Sequence, residues 1–120
     1  MTKVLVVEDT PLNMELILEI LDGQGFIADS AENGEEAIDR AEKEIYDLIL
    51  MDIELPGMDG IEVAELIKNM PAYKDVPVIA LTAYAMKGDK ERLLSKGFHE
   101  YISKPIDVPE FIKRLERYRK

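Results

Sequence analysis

Apolar positions in this chain fall into two kinds of run. Val4-Leu5-Val6-Val7, Leu48-Ile49-Leu50-Met51 and Val78-Ile79-Ala80-Leu81 are unbroken, too short for a helix and closed by polar residues. Such runs read as inner strands of a parallel sheet, apolar on both faces. Weaker strand-like stretches occur at residues 26–28 and 100–102, and amphipathic segments with helical spacing fill the intervals. The pattern is a βα unit repeated five times. Helix starts are marked by Thr10-Pro11 and by the pairs Asn33/Glu36, Asp59/Glu62 and Asp107/Glu110, which are spaced as capping boxes. Gly23 and Gly25, Met70-Pro71 and Gly97 mark the stops of the first, third and fourth helices.

Right-handed crossovers turn such a chain into an α/β doubly wound five-stranded parallel sheet with helices on both faces. The less apolar strands belong at the edges: the second carries Asp29 and Ser30, and the short fifth is flanked by His99 and Ser103. Both features suit the flavodoxin-like order 2-1-3-4-5, whose switch point lies between the first and third strands. No linker or low-complexity tract interrupts residues 1–120, so one domain is expected over that whole span.

Composition narrows the class. The 120 residues contain no cysteine, which excludes a disulfide frame and thiolate metal ligation. A formal net charge of -10 repels nucleic acid and anionic lipid and favours proteins or cations as partners. No apolar stretch approaches the ~20 residues of a membrane span, so a cytoplasmic protein is expected. The basic residues gathered in Lys113, Arg114, Arg117, Arg119 and Lys120 suit the C-terminal end of a helix. His99, the only histidine, has no second imidazole to share a metal and reads as a surface residue.

The chemistry lies at the strand ends. Glu8 and Asp9 follow the first strand, Asp52 the third, Thr82 the fourth and Lys104 the fifth. Carboxyl ends of parallel strands form the rim where such sheets bind ligands. Three carboxylates there repel one another unless a cation sits between them or their pKa values rise. A hard divalent ion suits the oxygen set, with Asp9 and Asp52 binding directly and Glu8 through water; Mg²⁺ is expected, with Mn²⁺ as the alternative. An accessible carboxylate also serves as a phosphoryl acceptor, and Asp52, central on the rim, is the expected one. Lys104 and the Thr82 hydroxyl then stabilise the equatorial oxygens.

At these residues the chain resembles the receiver domain of two-component response regulators. Val7-Glu8-Asp9, Met51-Asp52 followed by Leu55-Pro56-Gly57-Met58-Asp59-Gly60, Ala80-Leu81-Thr82-Ala83 and Tyr101-Ile102-Ser103-Lys104-Pro105 carry the resemblance, in order, over essentially the whole chain. With no output domain following the fifth helix, it is similar to stand-alone receivers of cell-cycle and phosphorelay systems. The Ala83-Tyr84-Ala85-Met86-Lys87-Gly88-Asp89 segment also resembles receivers of hybrid sensor kinases, which leaves a kinase fragment as an alternative. The resemblance implies that a phosphohistidine on a histidine kinase or phosphotransfer protein donates to Asp52, and that the chain catalyses transfer and dephosphorylation only on itself. It further implies metal binding by Asp9, Asp52 and the Glu54 carbonyl with Glu8 in the outer shell, a switch through Thr82 and Tyr101, and a cis bond before Pro105. A downstream protein target would read that switch, the chain being a monomer or a weak phosphorylation-dependent dimer. A Mg²⁺-dependent phosphatase would share the carboxylates, but 120 residues leave no room for its substrate cap.

The first helix carries more apolar surface than a sheet needs. Leu12, Leu16, Ile20, Ile17, Leu21, Met14 and Leu18 spread over about 240° at 100° per residue, where an arc of ~100° suffices. Ile17, Ile20 and Leu21 are expected in the core. Leu12 and Leu16 on one margin, and Met14 and Leu18 on the other, either dock the histidine-bearing partner, together with Pro105, or pack against neighbouring helices.

Overall fold

The computed structural model describes residues 1–83 and 88–119, and the Tyr84 to Lys87 part of the kinase-like segment lies outside them. Five strands, β1 (Lys3–Val7), β2 (Ile27–Ala31), β3 (Leu48–Asp52), β4 (Val78–Thr82) and β5 (Glu100–Ser103), form one parallel sheet in the order β2-β1-β3-β4-β5. They alternate with α1 (Pro11–Gly23), α2 (Gly34–Lys43), α3 (Gly60–Lys68), α4 (Asp89–Ser95) and α5 (Val108–Leu115), so the expected doubly wound topology is observed. Short 3₁₀ turns at Pro71–Tyr73 and Glu116–Tyr118 add to the pattern read from sequence.

Every residue of β3 and β4 is buried, whereas the edge strands β2 and β5 are mostly half-exposed. Successive strand residues point to opposite faces, and the core divides accordingly. Leu5, Val7, Ile49, Met51 and Ala80 meet α2, α3 and α4 through Ala37, Val63, Ile67 and Leu93. Val4, Val6, Leu48, Leu50, Ile79 and Leu81 meet α1 and α5 through Met14, Ile17, Leu21, Phe111 and Leu115.

Each of the five strands reaches beyond the run read from sequence, β2 by the most. β2 begins one residue later and extends through Ala31, because β1 pairs Lys3 with Ile27 and Val7 with Ala31. Asp29 lies inside the strand, as expected from the sequence, and the buried Tyr46 hydroxyl donates to its Oδ2 at 2.7 Å. Phe26 instead packs beneath α1, with the Arg119 guanidinium 4.7 Å from its ring centre. β5 reaches Ser103 because Thr82 remains its register partner.

The helix caps follow their sequence signals with one variation. Asn33 Oδ1 accepts the Glu36 N–H at 2.9 Å and Asp107 Oδ1 the Glu110 N–H at 3.2 Å, while Asp59 Oδ1 takes the nearer Ile61 N–H at 2.9 Å. Pro11 opens α1, where a missing N–H costs nothing. No helix among the described residues is long and apolar enough to cross a membrane.

Candidate functional site

The parallel sheet brings the carboxyl ends of β1, β3, β4 and β5 to one rim. Glu8 is fully buried behind β1, Asp9 beside it is exposed, and Asp52 closes β3 with 1% exposure. Carboxylate oxygens of these three lie within 4.8 Å of one another. Lys104, just past β5, places Nζ 2.9 Å from Asp52 Oδ2 and 2.8 Å from Glu8 Oε1. Its own N–H donates to the Thr82 carbonyl at 2.8 Å, which fixes the residue against the end of β4. Thr82 itself is fully buried at that strand end.

Backbone donors complete the cage. Asp52 Oδ1 accepts the Glu54 N–H at 2.8 Å, and Glu8 Oε2 accepts the Thr10 N–H at 3.1 Å. One ammonium lies between two buried carboxylates, Glu8 and Asp52, and their pKa values separate. Burial pushes Glu8 above the ordinary glutamate range, more than Lys104 draws it down. Burial pushes Asp52 up as well, but its hydrogen bonds with Glu8, the Glu54 N–H and Lys104 outweigh this and hold it below the usual aspartate range. Lys104 loses charge stability by burial and regains more from Glu8 and Asp52, so its pKa rises. Of the two buried acids, Asp52 is thus the more readily ionised, as a nucleophile needs. A cluster of hard oxygen donors with excess negative charge and one open, exposed member is what a Mg²⁺-sized ion suits.

Two contributors escaped the sequence reading. Gly60 opens α3 against the back of the acidic strand end, where a β-carbon would stand 2.2 Å from the Asp52 carbonyl oxygen and 2.6 Å from Ile53 Cα. Only glycine permits that approach, and the Asp59-Gly60 pair was the sequence signal that carried it. The Glu54 side chain, expected to serve through its carbonyl, also reaches across to accept the Ala83 N–H at 3.0 Å.

The remaining residues divide. Tyr101 is half-buried and packs against the core on the α2, α3 and α4 face. Pro105 is exposed and follows Lys104 through a cis peptide bond, as the resemblance implied. His99 is exposed, edge-on to the Tyr118 ring at 5.7 Å. On α1, Leu12 is 78% exposed and Leu16 half-buried. Met14, expected as surplus surface, is instead buried with Ile17 and Leu21; Leu18 packs partly against the same core, and Ile20 is only partly covered. The helix is rolled by roughly 40° from the orientation that centres its core opposite Glu15, Glu19 and Asp22, and the Met14 margin joins Phe111 and Leu115 of α5 in one cluster.

Comparison with known proteins agrees with this geometry. Residues 4–116 match the family model of the response regulator receiver domain. The chain is 46% identical over 119 residues to the polar-differentiation response regulator DivK of Brucella abortus, covering 98% of this chain and 97% of that protein. The corresponding protein of Brucella anthropi is also 46% identical, over 96% of this chain and 94% of its own length. Among solved structures, the receiver domain of the sensor histidine kinase PA1611 from Pseudomonas aeruginosa, with a magnesium ion coordinated in its active-site cleft, is 37% identical with a TM-score of 0.88 over 98% of this chain and 96% of that one. The chemotaxis response regulator CheY4 of Vibrio cholerae is 28% identical with a TM-score of 0.93 over 99% of both chains. A buried acidic strand end bridged by lysine, on a sheet of this order and among these relatives, makes the chain a member of the response regulator receiver domain family, with that family's phosphoacceptor role in two-component signalling.

Proposed function

We propose that residues 1–120 act as one receiver domain in which Asp52 takes the phosphoryl group from a phosphohistidine on a histidine kinase or phosphotransfer protein. The observation that carries this reading is the position of Asp52, ionised between Lys104 and the Glu54 N–H and flanked by Glu8 and Asp9. An Asp52 oxygen bonds to phosphorus as the P–N bond breaks, and the leaving imidazole takes up a proton. Lys104 and the Thr82 hydroxyl meet charge on the transferred oxygens. Asp9, Asp52 and the Glu54 carbonyl would hold Mg²⁺, with Glu8 in its outer shell. When bound, the ion neutralises charge on the phosphoryl oxygens.

Transfer and hydrolysis occur only on the chain's own Asp52, so no free substrate turns over. Thr82 and Tyr101 relay the modification toward β5, where a protein target reads it. The exposed Leu12 with Leu16 is the part of α1 left for the histidine-bearing partner, with Pro105 beside Lys104 at the rim. The setting is cytoplasmic, and any dimer is weak and phosphorylation-dependent. Nothing in the fold or the relatives supports the phosphatase alternative.

Incubation with a small phosphodonor, followed by intact mass and hydroxylamine treatment, tests the assignment. One phosphoryl group should be acquired with Mg²⁺, be lost to hydroxylamine, and be absent in chelator and in Asp52→Asn. Labelling of Asp52→Asn at the wild-type level would refute it.

A further inference from the structure

The acidic rim has a counterpart at the other end of the sheet, where the chain enters β4 and β5. A groove of ≈ 480 Å³ opens there between the end of α3, the 74–77 loop, the turn before β5 and the C-terminal 3₁₀ turn. Its charge is opposite to that of the molecule. Lys68, Lys74 and Arg117 line it beside His99, and among the described residues Asp75 is the one acid in its wall, in a chain of net charge -10. The Lys68 ammonium donates to the Lys74 and Val76 carbonyls at 3.1 and 2.7 Å, and among the described residues no carboxylate lies within 4.0 Å of the Lys68 or Lys74 ammonium. Arg117 reaches Glu100 only at 4.0 Å, and Glu100 is already held by Arg114 and by the Tyr118 hydroxyl. Cations without acidic partners in an acidic protein create a local positive field that steers anions to this groove.

The lining suits a peptide better than a phosphate. The backbone N–H groups of Lys74, Val76, Gly97, Phe98 and His99 all donate to carbonyls of the chain itself, so they do not converge on an anion as they do in a backbone-built phosphate site. The cations stand instead on separate elements around an apolar strip of Val76, Pro77 and Leu94, the last 41% exposed. We propose that this groove docks an acidic segment of a partner protein, its carboxylates meeting Lys68, Lys74 and Arg117 and an apolar side chain lying on Pro77 and Leu94. One strand length, ~16 Å, separates the groove from the Asp52 rim. A partner held there leaves the rim open, so this contact tethers the chain without obstructing phosphoryl transfer.

The test titrates the full chain with a fluorescent synthetic peptide of glutamates flanking two leucines, followed by anisotropy and by backbone amide NMR. The Val76, Gly97 and His99 amides should shift. Lys74→Glu and Arg117→Glu, both at exposed positions, should each lower the affinity about tenfold, because reversal replaces an attraction by a repulsion. Arg40→Glu, beside Tyr46 toward the β2 edge, should change it less than about twofold, since salt screens distant charges. Replacing the peptide leucines by serine should weaken binding about tenfold, and labelling of Asp52 by a small phosphodonor should be the same in every variant. Equal affinity of wild type, Lys74→Glu and Arg117→Glu, or equal binding of the serine peptide, would overturn the proposal. ATP or inorganic phosphate shifting the same amides at lower concentration than the peptide would give the groove to a phosphate ligand and overturn it too. So would a wild-type dimer in sedimentation that Lys74→Glu abolishes, which would give the groove to a second copy of the chain.

Discussion

At the scale of single residues, Tyr46 shows how a polar group enters the core. Its ring is fully buried, and its hydroxyl donates to Asp29 on the edge strand. That hydrogen bond is the main reason that Asp29 lies below the ordinary aspartate range. A carboxylate depressed in the folded state contributes stability that is present above its unfolded pKa and lost as pH falls through the folded one. Tyr46→Phe should therefore cost about 1 kcal/mol at neutral pH, and less as Asp29 protonates below about pH 4. Urea melts of both proteins at pH 7 and pH 3 check this; an equal difference at both values would mean that the hydroxyl does not act through Asp29. The two were not legible as a pair in the sequence, since they stand 17 positions apart with the whole of α2 between them.

Elements carry the next two expectations. Gly60 lets α3 start directly against the Asp52–Ile53 peptide, so Gly60→Ala must push backbone aside. A destabilisation of about 1–3 kcal/mol follows from the overpacking, with slower labelling of Asp52, and thermal melts alongside phosphodonor kinetics measure both. On α1, Leu12→Ala with Leu16→Ala should slow transfer from a phosphohistidine partner while labelling by a small phosphodonor stays at the wild-type rate. Loss of the two rates in parallel would reduce that margin to packing. The inner strands were legible because residues apolar on both faces have one place in a sheet. The roll of α1 was not: seven apolar residues allow several orientations, and the choice is made by Phe111 and Leu115, nearly a hundred residues further along the chain.

For the whole molecule, the site is an electrostatic load carried by the fold. Asp9 is its exposed member, and Asp9→Asn should raise metal-free stability by about 0.5–1 kcal/mol through relief of like-charge repulsion. Mg²⁺ at a hundred times its dissociation constant should stabilise the wild type by about 2.7 kcal/mol and the variant by far less. Thermal melts with and without the ion test both, and an equal Mg²⁺ response would remove Asp9 from the ion's ligands. The strand-end residues were legible because each βα junction falls on the same rim, so type and position could be read together. The reach of the Glu54 side chain to the Ala83 N–H depends instead on a distance between loops that no spacing encodes. The same parallel order has an electrical consequence. Helices returning antiparallel to the strands direct their amino ends, and the positive ends of their peptide dipoles, toward the rim that holds the acids. A phosphoryl anion would arrive where the backbone itself is polarised to receive it, so part of its stabilisation belongs to the winding of the chain and survives replacement of any one side chain.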